Sequence, residues 1–265
     1  MPADSANNST SERAICAENV SLGYGDRTIL KDVSFCVEQG QIVTVLGGSG
    51  SGKSTLMKGL IGLLKPTKGR VRLYGKDIFE TGAEAWLEWA RRRIGVLFQS
   101  GALIGSLTLG ENIALPIREF SNVPKEILPE IVRLKLEMVR LGGYESYYPA
   151  ELSGGMKKRA GLARAIALDP KTLFCDEPTE GLDPVISAEM DNLLMELNRV
   201  LGITMVVVTH DLPSIKAISD WSIMVDGEAR GIIATGPPNE LENSSDSRVY
   251  DFFHRIARPV NSERR

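Results

Sequence analysis

Residues 47–54 read Gly-Gly-Ser-Gly-Ser-Gly-Lys-Ser and satisfy G-x-x-x-x-G-K-[ST] at every fixed position. The run follows Gln41–Leu46, a nearly continuous apolar stretch of the kind that forms a buried strand, and leads into 54–64, which reads as a helix. Strand, glycine loop and helix in that order leave the chain little freedom. It must build an α/β sheet in which one strand ends in a loop of backbone N–H groups that point at phosphate, backed by a helix N-terminus. Gly47, Gly48, Ser49, Gly50, Ser51 and Gly52 form the cradle. Lys53 is placed to reach the β- and γ-phosphates, and the Ser54 hydroxyl to ligate magnesium.

The rest of the pattern agrees with an α/β chain. Residues 1–13 are rich in Ser, Asn and Asp and are expected to be a disordered tail. Ala14–Leu22 reads as an edge strand, and Val33–Val37 as a strand separated from Gln41–Leu46 by a Glu-Gln-Gly turn. Pro66–Gly69 turns into the strand Arg70–Tyr74. Ala83–Arg93 is a charged helical stretch before the strand Ile94–Phe98. From Gly101 to Pro149 the pattern is helical, clearest over Val123–Leu141. Leu173–Asp176 and Ile203–Thr209 are apolar strands around the helix Val185–Leu201, whose Ile186, Met190, Leu193, Leu194, Leu197 and Leu201 share one face. Asp183 can cap that helix, Pro184 suits its first turn and Gly202 stops it. Such alternation predicts a mostly parallel sheet covered on both faces.

Composition narrows the setting. A chain of 265 residues suits one domain with a subdomain, and a net charge of -3 gives no electrostatic footprint for nucleic acid. Cys16, Cys36 and Cys175 are unclustered, which argues against a disulfide framework or zinc site and suits a reducing cytoplasm. No run approaches the ~18 apolar residues needed to span a bilayer. The polar start lacks the apolar core of a secretory signal, so a cytoplasmic location is expected, with any membrane role exerted through a partner.

A phosphate loop alone does not separate kinases, GTPases and transport motors; the other motifs do. Leu152-Ser153-Gly154-Gly155-Met156 opens a helix, with Ser153 as N-cap and Gly154 and Gly155 leaving its N-terminus bare enough for an anion to approach. Leu173-Phe174-Cys175-Asp176-Glu177 is an apolar strand ending in two acids, which resist burial without a counterion. Magnesium supplies one for Asp176, leaving Glu177 as general base for an attacking water. Val206-Val207-Val208-Thr209-His210 again puts polar residues at the carboxyl end of a buried strand, where open α/β sheets bind ligands, and His210 suits a γ-phosphate sensor. Gln99 ends Ile94–Phe98 in the same way, within reach of magnesium and the water. Tyr24, between Gly23 and Gly25, is placed to stack on adenine.

In this order the motifs resemble the nucleotide-binding domain of ABC transporters across residues 14 to about 240. The resemblance places Tyr24 in the A-loop, Gly47–Thr55 in the Walker A, Gln99 in the Q-loop, Leu152–Gly155 in the signature, Leu173–Glu177 in the Walker B, Gly181–Asp183 in the D-loop and His210 in the H-loop. It adds Thr55 and Asp183 to the nucleotide site. It implies a P-loop NTPase of ABC type, with an antiparallel β edge, a helical subdomain at about 100–160 within an ATPase domain 14–242, and an extension 243–265. It further implies a head-to-tail homodimer in which each ATP lies between the P-loop of one chain and Ser153–Gly155 of the other. Met156-Lys157-Lys158-Arg159 where the signature usually continues with Gln, together with Phe98–Leu103, Ser106–Asn112, Tyr148–Met156 and Pro-Thr-Glu-Gly-Leu-Asp at 178–183, is similar to the Mla-type phospholipid-transport ATPases. That group implies an MlaE-like permease, an MCE-domain lipid-binding protein and a small STAS-domain protein as partners, at the cytoplasmic face of an inner membrane. Gly101–Thr108 is then the expected permease contact. Val249–Phe253 packs either on a second protomer or partner, or on its own domain. Another transported substrate, or a soluble ABC ATPase of DNA repair or translation, is the alternative; the latter usually carries arms or zinc modules for which this chain has no insertion.

Overall fold

The computed structural model describes residues 13–80 and 82–257. The expected tail falls on residues outside these, except Arg13, and so does the end of the expected C-terminal extension, 258–265. Chain order runs β1 (Arg13–Tyr24), β2 (Arg27–Glu38), β3 (Ile42–Leu46), α1 (Lys53–Leu60), β4 (Lys68–Leu73), β5 (Lys76–Asp77), α2 (Ala83–Ala90) and β6 (Ile94–Leu97). Helices α3 (Leu109–Phe120), α4 (Leu128–Met138) and α5 (Gly154–Ala165) follow. Next come β7 (Thr172–Asp176), α6 (Pro184–Leu201), β8 (Thr204–Val208), α7 (Leu212–Ile218), β9 (Trp221–Asp226), β10 (Gly231–Gly236), α8 (Pro238–Leu241) and α9 (Ser247–His254).

The strands form two sheets. A six-stranded sheet has the order β10-β9-β3-β8-β7-β6 and is parallel except for the terminal β9–β10 hairpin. A four-stranded antiparallel sheet has the order β2-β1-β4-β5. The apolar runs of β7 and β8 are continuous because both of their faces are covered. Leu173, Cys175, Met205 and Val207 enter the core shared with α3–α6, while Phe174, Val206 and Val208 face the core shared with α1 and the antiparallel sheet. Phe174 is fully buried two residues before Asp176. Phe174→Ala is expected to cost about 3–5 kcal/mol of stability, read from urea unfolding of the purified chain.

Several expectations are corrected by long-range pairing. β1 is not an edge strand: β2 and β4 pair with its two backbone edges, while Ile15, Ala17, Val20 and Leu22 are buried in the core shared with α1. β2 begins at Arg27, well before Val33; Arg27–Asp32 has little apolar period, and pairing with β1 holds it extended. Residues 211–242 carry α7, β9, β10 and α8, which periodicity leaves unmarked. The expectation of no disulfide also fails. Cys16 and Cys36 lie directly opposite each other in the β1–β2 pairing, with Cα atoms 4.2 Å apart, and are joined by a disulfide. Their separation of 20 residues carries no signal until the hairpin brings them together. Cys175 is a free, buried thiol whose ionisation burial pushes far up.

At the C-terminal end, α9 packs on its own chain. Val249 and Phe253 are buried with Leu46, Ile215, Met224 and Leu241, while Tyr250 stays exposed and stacks on His254 at 3.8 Å. Asp246 caps the helix and pairs with Arg248.

Candidate active site

Strand order decides which residues meet. β3, β8 and β7 are adjacent and parallel, with Val45 opposite Val208 and Val208 opposite Asp176. Their carboxyl ends therefore bring Gly47–Ser54, Asp176–Glu177 and Thr209–His210 to one edge of the sheet, the edge at which open α/β sheets hold ligands. β6 adds Gln99 beside β7.

The loop at 47–54 keeps its shape through glycine. Gly47 has φ 145, and a Cβ there would lie 2.2 Å from the Val225 carbonyl oxygen. Gly52, φ 104, is the N-cap of α1 and has no side chain with which to satisfy the helix. The first N–H groups of α1 therefore need an acceptor from outside the helix. The Ser51 hydroxyl is buried without a hydrogen-bond partner. Lys53 Nζ donates to the Gly47 and Gly48 carbonyls at 2.8 and 3.1 Å. Such a set of donors, with a lysine folded over the loop, suits a polyphosphate. Gly48, Ser49, Gly50 and Ser54 are exposed and open to such a ligand, and Thr55 is half-buried at the start of α1.

Across the sheet edge sit the acids. Burial, reinforced by the neighbouring Glu177 charge, raises the Asp176 carboxyl above the usual carboxylate range, against the pull of Lys53. Burial likewise lowers Lys53, although Glu177 and Asp176 oppose that shift. Both groups thus lack sufficient counter-charge from the protein alone. Glu177 has the left-handed φ of 48, costly for a side chain of its size and held by its N–H bond to the Val208 carbonyl at 2.8 Å. Its side chain is nearly buried, and Oε1 lies 2.9 Å from Nδ1 of the more exposed His210.

The remaining predicted residues lie around this cluster. The Gln99 amide donates to the Glu180 carboxylate. Tyr24, at the end of β1, is half exposed, with the Lys58 ammonium 5.9 Å from its ring centroid. Ser153 caps α5 by accepting from Met156 N at 3.3 Å, and Asp183 caps α6 by accepting from Val185 and Ile186 N at 3.1 Å. Gly154 and Gly155 abut Leu182 and Ile186 at the start of α6; a Cβ on Gly155 would come within 2.7 Å of Ile186 Cγ2. The structure therefore groups Lys53, Asp176, Glu177 and His210, and seats Ser153–Gly155 against the D-loop and α6.

Two residues in contact with this cluster are not singled out from the sequence. Lys158 is buried, and its Nζ donates to the Glu177 carbonyl at 2.7 Å. In the sequence it sits in Lys157-Lys158-Arg159, which looks like a solvated run. Glu180 is the partner of Gln99 from 81 residues away; no local pattern announces that contact.

The comparisons with known proteins agree with this geometry. A family model described as ABC transporter matches residues 30–180. The intermembrane phospholipid transport system ATP-binding protein MlaF of Haemophilus influenzae is 39% identical, over 91% of this chain and 90% of that protein. MlaF of Escherichia coli K12 is 40% identical over 90% of this chain and 88% of its own length. The probable ribonucleotide transport ATP-binding protein mkl of Mycobacterium leprae is 40% identical over 91% of this chain, which spans 69% of that relative. Among solved structures, the ATP-binding cassette MJ0796, a dimer in a post-hydrolysis state bound to ADP and Pi, superposes with a TM-score of 0.77 at 29% identity, covering 84% of this chain and 98% of its own. The cbiO1 subunit from Clostridium perfringens superposes with a TM-score of 0.80 at 28% identity, covering 89% and 93%. With the family matched over more than half of its length and the phosphate loop, paired acids and histidine gathered at one sheet edge, the chain belongs to the ABC transporter family and is an ATP-hydrolysing cassette.

Proposed function

We propose that this ATPase powers phospholipid trafficking between membranes, acting on the cytoplasmic face of an inner membrane through an MlaE-like permease, with an MCE-type lipid-binding protein and a small STAS-domain protein. The carrying observation is reciprocal: the MlaF relatives match about nine-tenths of this chain and of themselves. The mkl relative, named for ribonucleotide transport, is as similar but extends beyond the matched region. Among the described residues no helix is long and apolar enough to cross a membrane, so membrane attachment falls to the permease.

Within the site, each side chain has a role consistent with its placement. The Gly47–Ser54 backbone and Lys53 bind the phosphates, Thr55 supports the loop from α1, and Tyr24 stacks on the adenine. Ser54, Asp176 and Gln99 are the ligands offered to magnesium, which when bound neutralises phosphate charge. Among the described residues no group of three His, Cys, Asp or Glu side chains could hold a metal unaided. That suits an ion which shares its ligands with phosphate. Glu177 accepts the proton of the attacking water, and His210 orients that carboxylate. In a homodimer, Ser153, Gly154, Gly155 and Asp183 of one chain complete the site of the other.

The test is to tag the chain in its own cell, extract membranes in mild detergent and identify what co-purifies. An MlaE-like permease, an MCE protein and bound phospholipid are expected. A permease of another class would overturn the lipid substrate and leave the motor intact.

A further inference from the structure

Helix α6 and the turn carrying His210 are joined by an uncommon polar contact. Asp191, in the second turn of α6, is only 5% exposed, and Ser214, in α7, is 1% exposed. Ser214 Oγ lies 2.8 Å from Asp191 Oδ2 and 2.8 Å from Asp211 Oδ2. The next hydroxyl, Thr179 Oγ1, is 3.5 Å away. Asp191 Oδ1 is buried with no hydrogen-bond partner. A cavity of about 420 Å³ opens beside them, and the other titratable groups that line it are Glu177, Glu180, His210 and Asp211. Among the described residues no lysine or arginine lines it. α5 also packs on α6, where Gly155 comes up against Ile186, and its buried Lys158 is engaged with the Glu177 carbonyl.

Proton counting then constrains the cluster. A serine hydroxyl has one hydrogen to donate. Two ionised carboxylates at 2.8 Å from one hydroxyl leave one close pair of oxygens with no proton between them, in a site where an unpaired charge is costly. One added proton removes the conflict: protonated Asp191 donates to Ser214 Oγ, which donates to the Asp211 carboxylate. Asp191 is the acid that holds it, being the more buried of the two. Its unpartnered Oδ1 is then a carbonyl oxygen, cheaper to leave unsatisfied than half of a carboxylate.

We infer that Asp191 is a positioning residue: protonated, it relays through Ser214 and Asp211 to fix the turn that presents His210 to Glu177, and loss of its proton loosens that turn. Asp211 directly follows His210, stands at the N-cap position of α7 without a side-chain bond to that helix's backbone, and donates its own N–H to Thr209 Oγ1 at 3.1 Å, so the Ser214 hydroxyl is a contact that ties its carboxylate, and with it the turn, to α7. Burial, aided by the Asp211 charge and opposed by the Ser214 hydrogen bond, raises the Asp191 carboxyl from 3.8 to about 6. The activity consequence rests on the role proposed above for His210; the stability consequence does not.

Asp191→Asn tests both, because the amide donates to Ser214 as the acid does but does not titrate. An acid whose folded value is raised binds more protons folded than unfolded, so stability falls as pH rises between the two values and is level above them. Thermal unfolding of the full chain is therefore expected to show Asp191→Asn gaining on the wild type between the unperturbed 3.8 and about 6, with a constant gap at higher pH. A gap equal at every pH would overturn the proton. For ATPase activity, a downward step of roughly tenfold in wild-type kcat is expected as pH rises through this window, superposed on the opposite rise that a general base requires as it gives up its proton; the step is the scale of one contact in a coupled network, with KM for ATP unchanged. Asp191→Asn lacks that step and Ser214→Ala is low throughout. If Ser214→Ala retains full kcat, or if the step persists in Asp191→Asn, the relay to His210 is wrong even though the ATPase assignment stands.

Discussion

Glu177→Gln lowers steady-state ATP turnover by roughly 10²–10⁴-fold, the usual contribution of a general base, while leaving ATP binding intact. The amide keeps the shape and size of the carboxylate but cannot take a proton. Two hydrogen bonds and a fixed backbone angle hold the residue in place independently of that charge. Its N–H bonds the Val208 carbonyl at 2.8 Å, its carbonyl accepts from Lys158 Nζ at 2.7 Å, and its φ of 48 is imposed by the strand end. The amide can still meet His210 Nδ1, 2.9 Å from the present oxygen. The variant is therefore expected to fold normally and to accumulate with ATP bound. Single-turnover hydrolysis and equilibrium ATP binding, measured on the same preparation, check it. Undiminished single-turnover hydrolysis would show that the proton goes elsewhere.

Ser153→Arg abolishes ATP-driven dimerisation and, with it, turnover. Ser153 and Gly154 are exposed in the single chain, at the bare N-terminus of α5. Their chemistry is that of an anion site. In the proposed homodimer that site meets the γ-phosphate held by the partner, and an arginine side chain fills the space. The substitution also removes an N-cap, a loss of about 1 kcal/mol. Ser153→Asn, which retains a capping side chain, separates that effect from the steric one. Light scattering with ATP in the Glu177→Gln background reads the dimer directly. Normal dimerisation of Ser153→Arg would remove Ser153 from the interface.

The legible parts of this protein are those whose requirement is contiguous. The phosphate loop needs glycines, a lysine and a hydroxyl at fixed spacing beside a strand and a helix, and all of these occur within residues 41–60. Helix α6 announces itself through Asp183, Pro184, its apolar face and Gly202, whose φ of 65 ends it as expected. The strand-end acids stand out because an apolar run that terminates in Asp176-Glu177 is chemically odd. Less legible are β2, β9 and β10, which depend on pairing more than on their own residues.

Sequence alone determined the nucleotide-binding chemistry, the alternation of strands and helices, and which residues stand at the strand ends, because each depends on neighbours a few positions away. Only the tertiary structure decided the contacts between those ends. The Cys16–Cys36 disulfide spans 20 residues, His210 reaches Glu177 across 33, Asp191 reaches Ser214 across 23, and Gln99 reaches Glu180 across 81. Each results from the order of strands in a sheet and the seating of helices on it, and these are set by burial summed over the whole core, which no local stretch encodes.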